Sequence, residues 1–284
     1  MREIRPVALD ELDFTPFGRW YDLRTPSGAP GWEDGTALER DYRYGMTRTG
    51  GGSFSCRSME RHRSTEEVLF TSEGAMVLAL AASDPMGAPR AEDVIAVRVE
   101  PGQVVVLARG VWHDACRCAE ERSICYSFLA NNNGEASELS WIEVVPDPVW
   151  ISCGKPAAFV PEREAPAEDW SGRFCSRHDV RRDDRVDSLS WECWQTGVCL
   201  SQRMRLVFGT LPPGEEARFC SAREGQDVVT GLSAQAVLTL WQGTERERVP
   251  LRPGQMLTVA PETDWTISFP DGGTYWVMTR QRTE

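Results

Sequence analysis

Two glutamates and two histidines, Glu60, His62, Glu67 and His113, carry the densest chemistry in this chain. It has only three histidines in 284 residues. Glu60 and His62 are two positions apart, so an extended segment presents both side chains to one face. Carboxylates and imidazoles serve as ligands of divalent metals or as general acids and bases near neutral pH. Without a metal, the same residues form a hydrogen-bonded polar patch with Arg61 and Arg63 beside it.

These residues need strands to hold them, and the surrounding sequence supplies strand signals. Short β-branched and aromatic runs alternate with Pro-Gly, Gly-Gly and Asn-rich turns, the pattern of an all-β sandwich or barrel. The pattern occurs twice. Val99 to Ala108 can be laid on Leu251 to Ala260, each a Pro-Gly turn followed by an apolar strand. Glu67 to Leu80 can be laid on Asp227 to Leu240 at a larger offset, and a Pro/Gly/Asp-rich excursion at Ser83 to Arg90 absorbs the difference. Helices are expected to be few and short, one at Leu9 to Phe14 and another near Pro161 to Trp170. The expected domains are 1–155 and 171–284, joined by a Pro/Glu/Ala-rich linker at 156–170.

The formal net charge is -12 and Lys155 is the sole lysine. That balance opposes binding to a nucleic-acid backbone or an anionic membrane surface. No apolar run approaches the roughly 20 residues of a membrane span, and the N-terminal residues do not read as a secretory signal, so a cytoplasmic location is expected. Nine cysteines without an export signal point to reduced thiols. Cys116 and Cys118 share a strand face and are expected to pack rather than bind zinc. His178 and the mixed-sign run Arg181 to Arg185 read as solvated surface.

The spacing of the first copy resembles the two sequence motifs of cupins. Glu60-x-His62, four residues, Glu67, six residues and Gly74 fit the first motif, with Glu60 where a histidine is usual. Gly102, five residues, Ala108-x-Gly110, two residues and His113 fit the second, with Ala108 in place of proline. The resemblance implies tandem double-stranded β-helix (jelly-roll) barrels, a bicupin. It also implies that Glu60, His62, Glu67 and His113 converge as ligands of one divalent transition metal, Zn, Mn, Fe or Ni, with positions open to substrate. On this reading Glu60, His62, Glu67 and His113 of the second copy become Cys220, Ala222, Asp227 and Trp265, and that barrel is structural. Trp191, Trp194, Trp241, Trp265 and Trp276 are then expected in core or interface.

Met59-Glu60-Arg61-His62, Glu67-Val68-Leu69-Phe70, Gly110-Val111-Trp112-His113 and Phe14-Thr15-Pro16-Phe17-Gly18 further resemble segments of the ureidoglycolate lyases, from about residue 10 to 145. The resemblance implies release of urea from ureidoglycolate to give glyoxylate, a step in purine nitrogen recovery. Glu60 or His62 would be the base and His113 the acid. Arg57, Arg61 or Arg109 would clamp the substrate carboxylate, with Trp112 beside it. Glu67, Asp114 and Asn131 to Asn133 depart from the residues expected there, which points to a related small hydroxy or ureido acid as an alternative substrate. The expected partner is thus a small carboxylic acid, and the chain a monomer or homodimer. The other readings are a non-catalytic small-molecule-binding cupin and a metal-dependent isomerase or dioxygenase of the same fold.

Overall fold

The computed structural model describes residues 1–24, 42–63, 65–83, 87–130, 141–154, 170–179, 192–200, 203–223 and 225–281. Most of the expected linker, the helix near Pro161 to Trp170, Asn131 to Asn133, Trp191 and the Arg181 to Arg185 run lie outside them, as do the side chains of His178 and Trp194. The only helical segment among the described residues is a 3-10 turn at Leu9–Glu11, shorter than expected.

The first half opens with β1 (Arg2–Ile4), β2 (Val7–Ala8) and β3 (Gly18–Asp22). It continues with β4 (Tyr42–Thr49), β5 (Phe54–Cys56), β6 (Ser58–Met59), β7 (Glu67–Thr71), β8 (Met76–Ala81) and β9 (Ile95–Val99). Then come β10 (Gln103–Leu107), β11 (Trp112–His113), β12 (Arg117–Cys118), β13 (Ile124–Ala130), β14 (Ile142–Glu143) and β15 (Val149–Ile151). The rest of the chain carries β16 (Trp170–Ser171), β17 (Cys175–Asp179), β18 (Glu192–Leu200), β19 (Arg203–Leu211), β20 (Glu216–Cys220) and β21 (Gly225–Thr230). It ends with β22 (Ala236–Gln242), β23 (Glu245–Leu251), β24 (Gln255–Val259), β25 (Asp264–Ser268) and β26 (Gly273–Gln281). The chain divides into two compact units.

In the second unit one sheet runs β24-β21-β26-β19 and the other β20-β25-β22-β23. Counting β19 as the first of eight strands, the first, eighth, third and sixth share one sheet, and the second, seventh, fourth and fifth share the other. That interleaving is a jelly roll. The first unit repeats it, with β10-β7-β13-β4 facing β11-β8-β9. The second-strand position there falls to the β6 segment, whose continuation Glu60 bridges His113. The fold is therefore two double-stranded β-helices, or jelly rolls, in one chain.

The duplication reaches individual side chains. Gln103 N donates to Glu100 O and Gln255 N to Arg252 O, closing a turn around each Pro-Gly pair. Gly102 and Gly254 take φ values of 88° and 78°, which an L side chain resists. In both turns the glutamine carbonyl then accepts the backbone N–H three residues earlier at 2.9 Å.

The period of two explains how β8 can be apolar throughout. Met76, Leu78 and Leu80 enter the cluster between the two sheets, with Leu69, Val105 and Leu107. Val77, Ala79 and Ala81 face the opposite cluster, beside Met59, Val144, Val149 and Ile151. Cys116 and Cys118 both join the inner cluster, as expected of packing thiols. In the second unit, β22 alternates buried and half-buried residues, and Trp265 and Trp276 are fully buried.

Candidate active site in the first roll

Each of the four sequence-selected residues sits where the inner face of the first roll reaches one end. Glu67 begins β7 and pairs with Leu107 at the end of β10 and with Ala130 at the end of β13. His113 pairs with Leu80, so it shares the inner face with that leucine. Glu60 and His113 exchange two backbone hydrogen bonds of 2.8 Å. His62 is held by its carbonyl, which accepts from Gly110 N at 2.7 Å. Gly110 has φ +80°, and a Cβ there would meet Ser83 Oγ at 2.8 Å, so this turn requires glycine.

The side chains converge. One ligand atom each from Glu60, His62 and His113 lies within 4.8 Å of the others. Glu67 Oε2 is 2.8 Å from His113 Nε2 and 3.7 Å from His62 Nε2. Glu60 Oε1 is 3.7 Å from His113 Nε2. His62, Glu67 and His113 are buried, while the Glu60 side chain keeps 15% of its surface and faces the opening most directly.

Charge and burial set the protonation of the group. Burial pushes Glu60 up to about 7, against the pull of His113. Burial alone would lower His113, but the Glu67 carboxylate outweighs it and holds the imidazole at about 9. Burial alone would raise Glu67, and the facing His113, aided by His62, keeps its carboxyl below the usual range.

The contact between His113 and Glu67 also tests whether a cation suits the site. His113 Nδ1 lies 3.2 Å from Val111 O and donates to it, so in the neutral ring Nε2 presents a lone pair inward. That lone pair faces a carboxylate oxygen, and neither atom has an aligned hydrogen bond. Two acceptors this close require a positive charge, either a proton on Nε2 or a cation shared between them. An imidazole anchored through Nδ1 with Nε2 free to coordinate is the usual arrangement of a metal-bound histidine. The donor set of two imidazoles and two carboxylates therefore fits a divalent ion.

The residues expected to bind substrate do not all gather here. Arg61 stacks on Trp112, 4.2 Å from the ring centroid, and Trp112 packs in the cluster on the far face of its sheet. Both are turned away because they alternate with the residues that point inward. Arg57 and Arg109 are exposed. Asp114, next to His113, also points away; burial pushes it up to about 6 despite Arg117, and it accepts from Ala115 N at 2.8 Å. One inner residue is not marked by the motifs: Cys116 is buried near Glu67, which helps hold its thiol protonated after burial itself. Its position three residues beyond His113 is the available signal.

The second roll has lost this chemistry, with one change to the expected correspondence. Asp227 pairs with Val259 as Glu67 pairs with Leu107, so Asp227 is the true counterpart of Glu67. The residue opposite Trp265, however, is Phe219 rather than Cys220, which makes Phe219 and Ser221 the counterparts of Glu60 and His62. The segment before β21 is one residue longer than its equivalent. Phe219 stacks on Trp265 with centroids 4.3 Å apart, and Ser221 spends its hydroxyl on Ala260 O and Thr263 O.

No protein-family model and no curated protein matches the chain. The likeness of the first half to ureidoglycolate lyases therefore has no counterpart in those comparisons. Among solved structures, a serine-to-alanine mutant of Bacillus subtilis oxalate decarboxylase aligns over 93% of this chain and 77% of its own at 9% identity, with a TM-score of 0.42. Vicilin from Corylus avellana aligns over 94% and 85% at 9% identity and a TM-score of 0.44. The formate complex of Lactobacillus farciminis oxalate decarboxylase aligns over 93% and 86% at 10% identity and a TM-score of 0.39.

Proposed function

We propose that the first roll is a metal-assisted lyase acting on a small hydroxy or ureido acid. The specific reaction named by the sequence resemblance is cleavage of ureidoglycolate to glyoxylate and urea. The observation that supports this reading is the convergence of Glu60, His62 and His113 within 4.8 Å, with Glu67 against His113 at 2.8 Å. A divalent ion held by these four residues would supply a positive charge to polarise a substrate oxygen and stabilise developing negative charge.

The chain's own groups suit the proton transfers. Glu60, nearest the opening and lifted by burial to about 7 before an ion binds, would be unprotonated beside the ion and serves as the base for the carbinol hydroxyl. On binding an ion, His113 would give up the Nε2 proton that Glu67 holds there in the metal-free site, so the proton that Glu60 receives from the carbinol hydroxyl is the one passed to the departing nitrogen. His62, on the same face of its segment as Glu60, completes the group that would hold the ion. The apolar residues of the inner cluster below exclude bulk water. The second roll is structural in this account.

The test is turnover of ureidoglycolate by the purified full chain supplied with Mn, Zn, Fe or Ni. Urea release that falls about a hundred-fold or more in Glu60→Gln and His62→Ala is the expected result. Turnover unchanged by both substitutions would remove the proposal.

A further inference from the structure

We infer that Phe128 is the apolar wall of the pocket beside the Glu60, His62, Glu67 and His113 group, and that it makes the substrate a monocarboxylic acid whose remaining substituent is uncharged. This rests on the proposed function and narrows its substrate class. Phe128 lies on β13, which is flanked by β4 on one side and β7 on the other. It pairs with Leu69, while the next residue on the same face, Ala130, pairs with Glu67. Phe128 is therefore the diagonal neighbour of Glu67, a separation of about 7–8 Å that an aromatic side chain spans.

Burial on the two faces of β13 fixes the side on which this residue is open. Tyr126 belongs to the inner cluster and Phe128 packs against it, so alternation puts Ser127 and Leu129 on the outer face, where both are buried. Phe128 is only half-buried, and the surface it keeps therefore opens into the roll. Leu69, Leu80 and Val105 close the inner layer. On the other flank the register sets Gly45 opposite Phe128, a residue without a side chain to occupy the space. A charged group placed against an apolar wall loses its water with no hydrogen bond in return, whereas each methylene of a neutral group buried there gains about four-fold in affinity. The neutral, planar ureido group belongs to the class this wall accepts, and a second carboxylate does not.

Lactate, 2-hydroxyvalerate and 2-hydroxyglutarate are the probes, which share a hydroxy-acid head and carry a methyl group, a propyl group or a chain ending in a second carboxylate. Calorimetry on the full chain, with and without added Mn, measures their binding. The expected result is that 2-hydroxyvalerate binds about ten-fold more tightly than lactate and 2-hydroxyglutarate more weakly than 2-hydroxyvalerate. Phe128→Ala should remove the propyl advantage, and Phe128→Leu should recover part of it, separating the apolar wall from loss of fold. Ureidoglycolate turnover is read on the same samples. A propyl preference that depends on Phe128 in protein without turnover supports the wall and removes only the lyase reading. A preference unchanged in both variants overturns the wall, as does 2-hydroxyglutarate binding as tightly as 2-hydroxyvalerate or no binding of any probe by the unmodified chain.

Discussion

Trp265 Nε1 donates to Asp227 Oδ2 at 2.8 Å in the second roll, the same distance that separates His113 Nε2 from Glu67 Oε2 at the matching positions of the first. The indole only donates, so it satisfies Asp227 Oδ2 without any third species, and it cannot bind a metal. Imidazole leaves the question open, and a proton or a cation must answer it.

Trp265→Phe should therefore act as a stability mutation confined to the second roll. It strips Asp227 of its indole donor and leaves Thr279 as the remaining side-chain partner, and the loss of such a bond to a buried carboxyl costs about 1–3 kcal/mol. Urea denaturation followed by intrinsic fluorescence checks this, and metal uptake should be unaffected. A variant as stable as the parent would mean that the pair contributes nothing to the roll.

The metal-free protein should lose stability as pH rises above neutrality. His113 sits at about 9 when folded, above its usual 6.5, so its contribution is complete below 6.5 and disappears as pH climbs through 9. The shift is worth about 3 kcal/mol. Glu60, raised to about 7, acts in the same sense over a lower window, from its usual 4.5 to about 7. Glu67, held low, works oppositely and loses its contribution only as pH falls below 4.5. Melting curves of chelator-treated protein from pH 6 to 9.5 should fall steadily, and Glu67→Gln should flatten the upper part.

Metal binding should show the reverse dependence. The ion competes with protons on His113 and Glu60, so apparent affinity should increase from pH 6 to 9 and binding should release protons. Calorimetry in buffers of different ionisation enthalpy measures the release directly. A binding enthalpy independent of buffer would show that the ion does not replace those protons.

The jelly-roll scaffold was legible because its strands carry a period of two and because the duplication fixes two turns. Glu67 and Asp227 match from sequence, and the strand register agrees. The match of Glu60 to Cys220 fails by one residue because a single added residue before β21 leaves no mark in side-chain type. The inward set Glu60, His62, Glu67 and His113 was readable from spacing. Spacing says nothing of where Arg57 and Arg109 lie, and both are exposed, since exposure depends on how loops end rather than on alternation. Arg61 and Trp112 alternate with inward residues, so their outward direction follows from the same rule that turns Glu60, His62 and His113 inward.

Metal content of the purified full chain tests the central claim most directly. Elemental analysis should find close to one equivalent of a divalent transition metal per chain after reconstitution and desalting, falling below about a tenth in Glu60→Gln and His62→Ala. Protein that retains no metal under these conditions, or variants that retain as much as the parent, would contradict a shared ion at these four side chains.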